Sequence, residues 1–237
     1  MKKSIQTLLI TLTSLTPIFS QTPETTEEIS QKIENYKDRE ILFDGKSTAQ
    51  WVWHHDRTPI KWPVVEGALE VLPVEGHRGA GDGSIITKNN YEDFYLHVEF
   101  KPNVTPEGTR EQGRGNSGIM LQDRYEIQVL DSYNSPLEGS NDCAAFYALK
   151  NADVNASKPA GEWQSYDIFF TAARWDGKQK IQNARVTVYW NGVLVHNNIE
   201  LKSNTKFTTK EGPSPGPIRL QEHANPVQFR NIWIAKK

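Results

Sequence analysis

Arg185-Val186-Thr187-Val188-Tyr189-Trp190-Asn191-Gly192-Val193-Leu194-Val195-His196 is the stretch on which the fold turns. β-Branched and aromatic residues dominate it, and these fit a pleated, half-buried surface. Asn191-Gly192 separates its two apolar runs and supplies the two left-handed residues that a type I′ hairpin requires. The pattern predicts two antiparallel strands, 185–190 and 193–196, joined by a two-residue turn. The same signal extends outward. Phe94, Leu96, Val98 and Phe100 alternate with Tyr95, His97, Glu99 and Lys101, which predicts a strand with one face in a core. Ile119 and Leu121 alternate with Met120 and Gln122, and Ile127 and Val129 with Glu126 and Gln128. Residues 163–171 form another such run, and 218–223 and 227–234 close the chain. Turn residues break the runs at short intervals and no long helical period appears. That combination predicts an all-β sandwich.

The chain has 237 residues, a length that one all-β domain fills. Apolar residues at 37% against 24% charged residues provide for one sizeable core. A formal net charge of −2 leaves no basic surplus for nucleic acid, and no basic amphipathic helix points to a membrane surface. Lys2 and Lys3 followed by the apolar run Leu8 to Phe19 read as a signal peptide over 1–20; the run is shorter than the ~20 residues a membrane span needs. Ser20 offers a small residue at the cleavage point. The expectation is a secreted protein, periplasmic or extracellular, with no stable membrane insertion after cleavage. A polar linker is expected over 21–40 and the sandwich over 41–237. Cys143 is the single cysteine, so no intramolecular disulfide forms. Its place in the apolar run Cys143-Ala144-Ala145-Phe146 predicts a buried small hydrophobe.

Two polar constellations carry candidate chemistry. In Arg124-Tyr125-Glu126-Ile127-Gln128-Val129-Leu130-Asp131, Glu126 and Gln128 share a strand face while Ile127 and Val129 face the core. Asp131 has the wrong parity, and a β-bulge after Gln128 would restore it. A carboxylate pair can divide acid and nucleophile roles in glycoside cleavage. A rise of ~3.3 Å per residue, however, leaves these two Cα atoms about 13 Å apart, against carboxyl groups about 5 Å apart in retaining enzymes. A solvated strand face with a turn Asp is the other reading. In the second constellation, Arg219, Gln221 and His223 share a face at i, i+2 and i+4. His223 suits a general base, and Arg219 suits a carboxylate partner or an oxyanion stabiliser. Trp51 and Trp53 alternate around Val52 and either line a sugar subsite or pack inward. Glu99 shares a face with His97 and reaches toward the same cleft. Asn116, just before a strand, offers amide contacts to hydroxyls, Arg124 is a further substrate-binding candidate, and Asp82 and Lys88 are rim candidates. His196 is expected at the surface. No His/Asp/Glu spacing indicates zinc. A divalent cation, Ca or Mn/Mg, on carboxylates, glutamines and backbone carbonyls stays open.

At these residues the chain resembles the 3-keto-disaccharide hydrolase family. The matching pieces are Leu42-Phe43-Asp44-Gly45-Lys46, Trp51, Asp93-Phe94-Tyr95-Leu96, Gly115-Asn116-Ser117-Gly118-Ile119, Arg124 to Ser132, Gly161-Glu162-Trp163-Gln164, Asn191-Gly192-Val193, and Gly216-Pro217-Ile218-Arg219-Leu220-Gln221 with His223. They run in order over residues 41–237. The resemblance implies an all-β, concanavalin A-like jelly-roll β-sandwich with a concave active face, a carbohydrate substrate, and cleavage after an upstream sugar 3-dehydrogenase has turned the C3 hydroxyl into a ketone. Laminarinase-type enzymes are a more distant likeness. Their Glu-x-Asp-x-x-Glu pattern has the spacing of Glu126, Gln128 and Asp131, but the central Asp is Gln here and the last Glu is Asp. A ketone at C3 acidifies the C2 hydrogen, so elimination needs a base, an enolate stabiliser and an acid, and no carboxylate nucleophile. His223 or Glu126 is then the base, Arg219 and Gln128 steady the enolate, and Asp131 assists the leaving group. A non-catalytic carbohydrate-binding module and a laminarinase-type glycosidase are the competing readings, since one sandwich serves all three.

Overall fold

The computed structural model describes residues 38–73, 83–109 and 111–237, with Glu27, Gln31 and Ile33. The expected leader, nearly all of the expected linker, and Asp82 lie outside the described residues. The apolar alternation resolves into β1 (Arg39–Phe43), β2 (Trp51–Trp53), β3 (Val64–Val65), β4 (Ala68–Glu70), β5 (Ile85–Thr87), β6 (Phe94–Lys101), β7 (Ser117–Leu121) and β8 (Tyr125–Val129). It continues as β9 (Gln164–Thr171), β10 (Arg174–Asp176), β11 (Gln179–Gln182), β12 (Ala184–Trp190), β13 (Val193–Leu201), β14 (Arg219–Leu220) and β15 (Gln228–Lys236).

Two antiparallel sheets stack as a jelly-roll sandwich, and β10 and β11 pair as a separate two-stranded sheet. The larger runs β13-β12-β9-β6-β15-β4-β3 with β1 also on β15, and the smaller runs β2-β5-β14-β7-β8. Asn191 and Gly192 have φ of 52° and 79°, and Trp190 pairs with Val193 across them, as a type I′ turn demands. Phe94, Leu96, Val98 and Phe100 of β6 and Ile127 and Val129 of β8 are all 0% exposed and belong to one cluster. Each such side chain contributes about 1.5–3 kcal/mol by leaving water. Hydrogen bonds cross the layers: the Tyr166 hydroxyl of β9 donates to the Gln128 carbonyl of β8 at 2.8 Å. Cys143 lies fully buried beside it, Sγ 3.1 Å from the same hydroxyl.

Two expectations need correcting. The strand expected over 218–223 is a ladder only at Arg219–Leu220, wedged between β5 and β7. Beyond it the Gln221 N–H still donates to Gly118 O at 2.9 Å, but the Glu222 N–H turns to the Ser84 hydroxyl at 3.1 Å. His196 is not at the surface. β13 runs on to Leu201, so His196 sits mid-strand, wholly buried. It donates Nε2–H to Ala144 O at 2.7 Å against the Phe146 ring, and burial drives its pKa down to about 4.

The β7–β8 turn fixes the entry into β8. Gln122 and Asp123 both have positive φ, 55° and 59°, and the Arg124 N–H closes the turn on Leu121 O at 3.0 Å. Gly216 backs this turn so closely that a Cβ there would lie 2.4 Å from Gln122 O and 2.8 Å from its carbonyl carbon. Backbone cannot step aside as a side chain can. Gly216→Ala is expected to cost about 1–3 kcal/mol by overpacking, read as a lowered midpoint in denaturant unfolding. An unchanged midpoint would show that the turn is not held by this contact.

Candidate active site

Strand parity builds the site. On β8, Tyr125, Ile127 and Val129 enter the core, so Glu126 and Gln128 face the other way. The register pairs Glu126 with Met120 and Gln128 with Gly118 on β7, and Met120 with Arg219 on β14. Glu126, Gln128 and Arg219 therefore share the face turned away from the core, and Gln221 and His223 continue it. There they open on a cavity of about 340 Å³ lined by Gln112, Asn116, Glu126, Gln128, Tyr147, Phe207, Gln221 and His223. Glycine at position 118 is what lets the carboxylate lie across the neighbouring strand, because a Cβ there would fall 2.5 Å from Glu126 Oε1.

Glu126 is 4% exposed and is the one carboxylate among the described residues lining the cavity. Burial pushes its pKa up to about 7, against the opposing pull of the Arg219 charge and the Gln221 amide. Arg219 is not free to hold Glu126 ionised. Its Nε lies 3.0 Å from Asp123 Oδ1, a charge contact without hydrogen-bond alignment. Burial by itself would raise Asp123. His54 Nε2 at 3.2 Å, the Arg219 charge and the Thr209 hydroxyl at 2.5 Å outweigh it and hold Asp123 below the usual carboxylate range. The site thus keeps two carboxyl groups with pKa values pushed apart, the arrangement that separates acid–base roles. Beside Glu126, the Gln128 amide donates to Gln112 Oε1 at 2.8 Å and Asn116 Oδ1 at 3.1 Å, and Asn116 donates to the Gln112 carbonyl at 2.9 Å. Gln128 Oε1 and Gln221 Oε1 are buried without a hydrogen-bond partner. With Glu126 they are the oxygens at hand for a hard cation. Among the described residues, no group of three or more His, Cys, Asp and Glu converges.

Of the residues singled out in the sequence, Glu126, Gln128, Gln221, His223 and Asn116 come together at the cavity. Arg219 lies behind them, its side chain 7% exposed. The others do not join. β7 and β8 stay in register from Leu121↔Tyr125 to Ser117↔Val129, so the bulge that would aim Asp131 inward does not form. Asp131 instead accepts the Tyr133 N–H at 3.2 Å in a turn. Glu99 is in the other sheet, held on its outer face by Arg230 Nε at 2.6 Å and Asn231 Nδ2 at 2.8 Å. Trp51 and Trp53 pair with Thr87 and Ile85 and face the core. Trp51 is 1% exposed with its indole N–H on Leu42 O at 2.8 Å, and Trp53 packs against the same cluster. Arg124 binds Gln122 Oε1 at 3.1 Å, and its carbonyl accepts the Thr205 N–H at 3.0 Å, so it serves the loop over the turn rather than the cavity.

Sequence reasoning missed Gln112, Tyr147 and Phe207 in the lining, and Asp123 behind it. Phe207 had left a signal, an isolated aromatic in the polar run Lys202 to Lys210. Tyr147 had none, because it continues the apolar run of Cys143. Since burial raises Glu126, the folded state binds a proton that the unfolded chain releases between pH 4.5 and about 7. Native stability therefore falls with rising pH across that window and levels off above it. Glu126→Gln has no such loss. It is expected to match the wild type at pH 4 and to exceed it at pH 8 by up to about 3 kcal/mol, read by denaturant unfolding at the two pH values.

A family model described as a 3-keto-alpha-glucoside-1,2-lyase-like domain matches residues 38–235. No curated protein matches the chain. Among solved structures, a candidate glycosyl hydrolase from Parabacteroides distasonis is 34% identical over 85% of this chain and 84% of its own, with a TM-score of 0.75. A second candidate glycosyl hydrolase from that organism, 18% identical over 88% of this chain and 96% of its own with a TM-score of 0.59, shares the fold. With the family model spanning nearly all the described residues, this chain belongs to the 3-keto-disaccharide hydrolase family and through it to the glycoside hydrolases and lyases.

Proposed function

We propose that the protein cleaves 3-keto-glycosides by elimination, with Glu126 as the base that removes the C2 proton. The observation that carries this reading is a single buried carboxyl group poised at a pKa of about 7 at the wall of the cavity. A general base works best with a pKa near the working pH. In the step, the C2–H bond breaks and its proton goes to Glu126. The electron pair forms the C1=C2 double bond and the C1–O bond breaks. The departing oxygen takes a proton, for which His223 is the cavity residue of suitable chemistry. Water then adds to the enone to complete a net hydrolysis. Arg219 stands behind Glu126 and does not line the cavity. The ketone oxygen is left to the Gln112 amide: Gln128 and Asn116 spend their amide hydrogens within the set, whereas Gln112 Nε2 gives one to Asn141 O and keeps one. Arg219 moderates the cost of ionising the base. A double displacement would need a second carboxylate at about 5 Å, and the described lining has one. The substrate's ketone requires an upstream sugar 3-dehydrogenase, and the leader read over 1–20 favours an encounter outside the cytoplasm.

The test is release of the C1 substituent from a 3-keto-glucoside and from its unoxidised parent, each with and without chelator. Release from the keto sugar alone is expected, and loss of it with chelator would assign a cation to the Glu126, Gln128 and Gln221 oxygens. Equal release from the parent would overturn the reading. Glu126→Gln is expected to lower kcat by about 10²–10⁴-fold, the usual worth of a general base. In the wild type, kcat/KM is expected to rise with pH through about 7 as the carboxylate forms. A profile flat across that range would remove Glu126 from the role.

A further inference from the structure

Phe207 combines two unfavourable features. The residue is 81% exposed, and its backbone sits at φ 61°, a region that costs a bulky residue free energy and is kept where function holds it. The segment around it is nonetheless fixed. The Thr205 N–H donates to Arg124 O at 3.0 Å and the Thr209 N–H to Asp123 O at 2.9 Å. The Thr208 hydroxyl donates to Arg124 O at 2.8 Å, and the Thr209 hydroxyl reaches the Asp123 carboxylate. The loop is thus pinned on the turn that leads into β8, and it holds Phe207 over the cavity.

Tyr147 meets it there. Its N–H donates to Glu126 O at 3.1 Å, so it stands level with the proposed base. The Tyr147 and Phe207 rings have centroids 6.4 Å apart at 49°. At that separation the rings are already in contact, so a ligand ring lies across them and not between them. Positions along β8 order the cavity. The loop bearing Phe207 is pinned at Asp123 and Arg124, Tyr147 is level with Glu126, and the Gln112 and Asn116 amides bind Gln128. An apolar platform and a polar amide set therefore lie on either side of Glu126. Elimination needs this arrangement, since the oxidised ring carries its ketone on one side of C2 and its leaving group on the other.

We propose that Tyr147 and Phe207 form the leaving-group subsite, a platform for the flat apolar face of an aryl ring or a pyranose attached through C1. The inference rests on the keto-glycoside reading above for its chemistry, but not for its test. The first arm compares kcat/KM of wild type and Phe207→Ala on methyl, phenyl and glucosyl 3-keto-glucosides. The expected result is a loss at least tenfold larger on the phenyl or the glucosyl substrate than on the methyl one. A larger loss on phenyl alone assigns an aryl leaving group, and one on glucosyl assigns a sugar. Equal losses on all three overturn the subsite. The second arm needs no turnover: calorimetric binding of methyl, phenyl and β-glucosyl glucosides to Glu126→Gln and to Glu126→Gln/Phe207→Ala. A preference for the ringed ligands that collapses in the double variant supports the platform even if no keto sugar is cleaved, and an unchanged preference overturns it. Phe207→Gly guards against a folding artefact. It relieves the backbone and is expected to hold or raise the unfolding midpoint while losing the same preference.

Discussion

The site depends on one constraint, the burial of a carboxyl group between two strands with its natural counter-ion already engaged. Glu126 lies on β8 where parity turns it from the core, and Gly118 on β7 leaves the space its Oε1 occupies. In water the group would be ionised well below neutrality. Here desolvation lifts it, and Arg219, the cation best placed to reverse that, is shared with Asp123. His54 and Thr209 complete the arrangement by keeping Asp123 anionic. The result is a carboxyl group with its pKa lifted to about 7, held by a frame of two strands and one turn.

That frame explains why so short a ladder matters. β14 contributes two paired residues, Arg219 and Leu220, between β5 and β7. Leu220 enters the core and Arg219 turns to the opposite face, so one dipeptide ties the sandwich to the electrostatics of the site. The β7–β8 turn does the same from the other side. Its left-handed Gln122 and Asp123 set the Asp123 carboxylate against Arg219, and the backbone at Gly216 leaves no room for the turn to shift.

Period-two alternation made the fold legible. The strands at 94–101, 164–171 and 184–190 and the Asn191-Gly192 hairpin are where the pattern put them, because each buries one face and only one register does so. The same rule placed Glu126, Gln128, Gln221 and His223 on one surface. It failed where a residue's face was known but not its sheet. Glu99 obeys the alternation of β6 yet belongs to the other layer, and Trp51 and Trp53 follow the core-facing phase set by their pairing with β5. Asp131 depended on a bulge, a local irregularity that no residue pattern announced. Tyr147 and Phe207 come from loops, where position is set by tertiary hydrogen bonds such as those of Thr205, Thr208 and Thr209 rather than by periodicity.

The chemistry fits the composition of the lining. Among the described residues, amides, one imidazole and two aromatic rings surround a single carboxyl group, a set suited to moving one proton and poorly suited to forming a covalent glycosyl intermediate. Membership in the 3-keto-disaccharide hydrolase family agrees with a substrate whose C2 hydrogen is acidic enough for such a base. The most direct measurement is the fate of that hydrogen. With a 3-keto-glucoside deuterated at C2, removal of the C2 proton in the slow step predicts a primary isotope effect on kcat/KM and loss of the label from the sugar product. Cleavage at an unchanged rate, with deuterium retained at C2, would contradict the account.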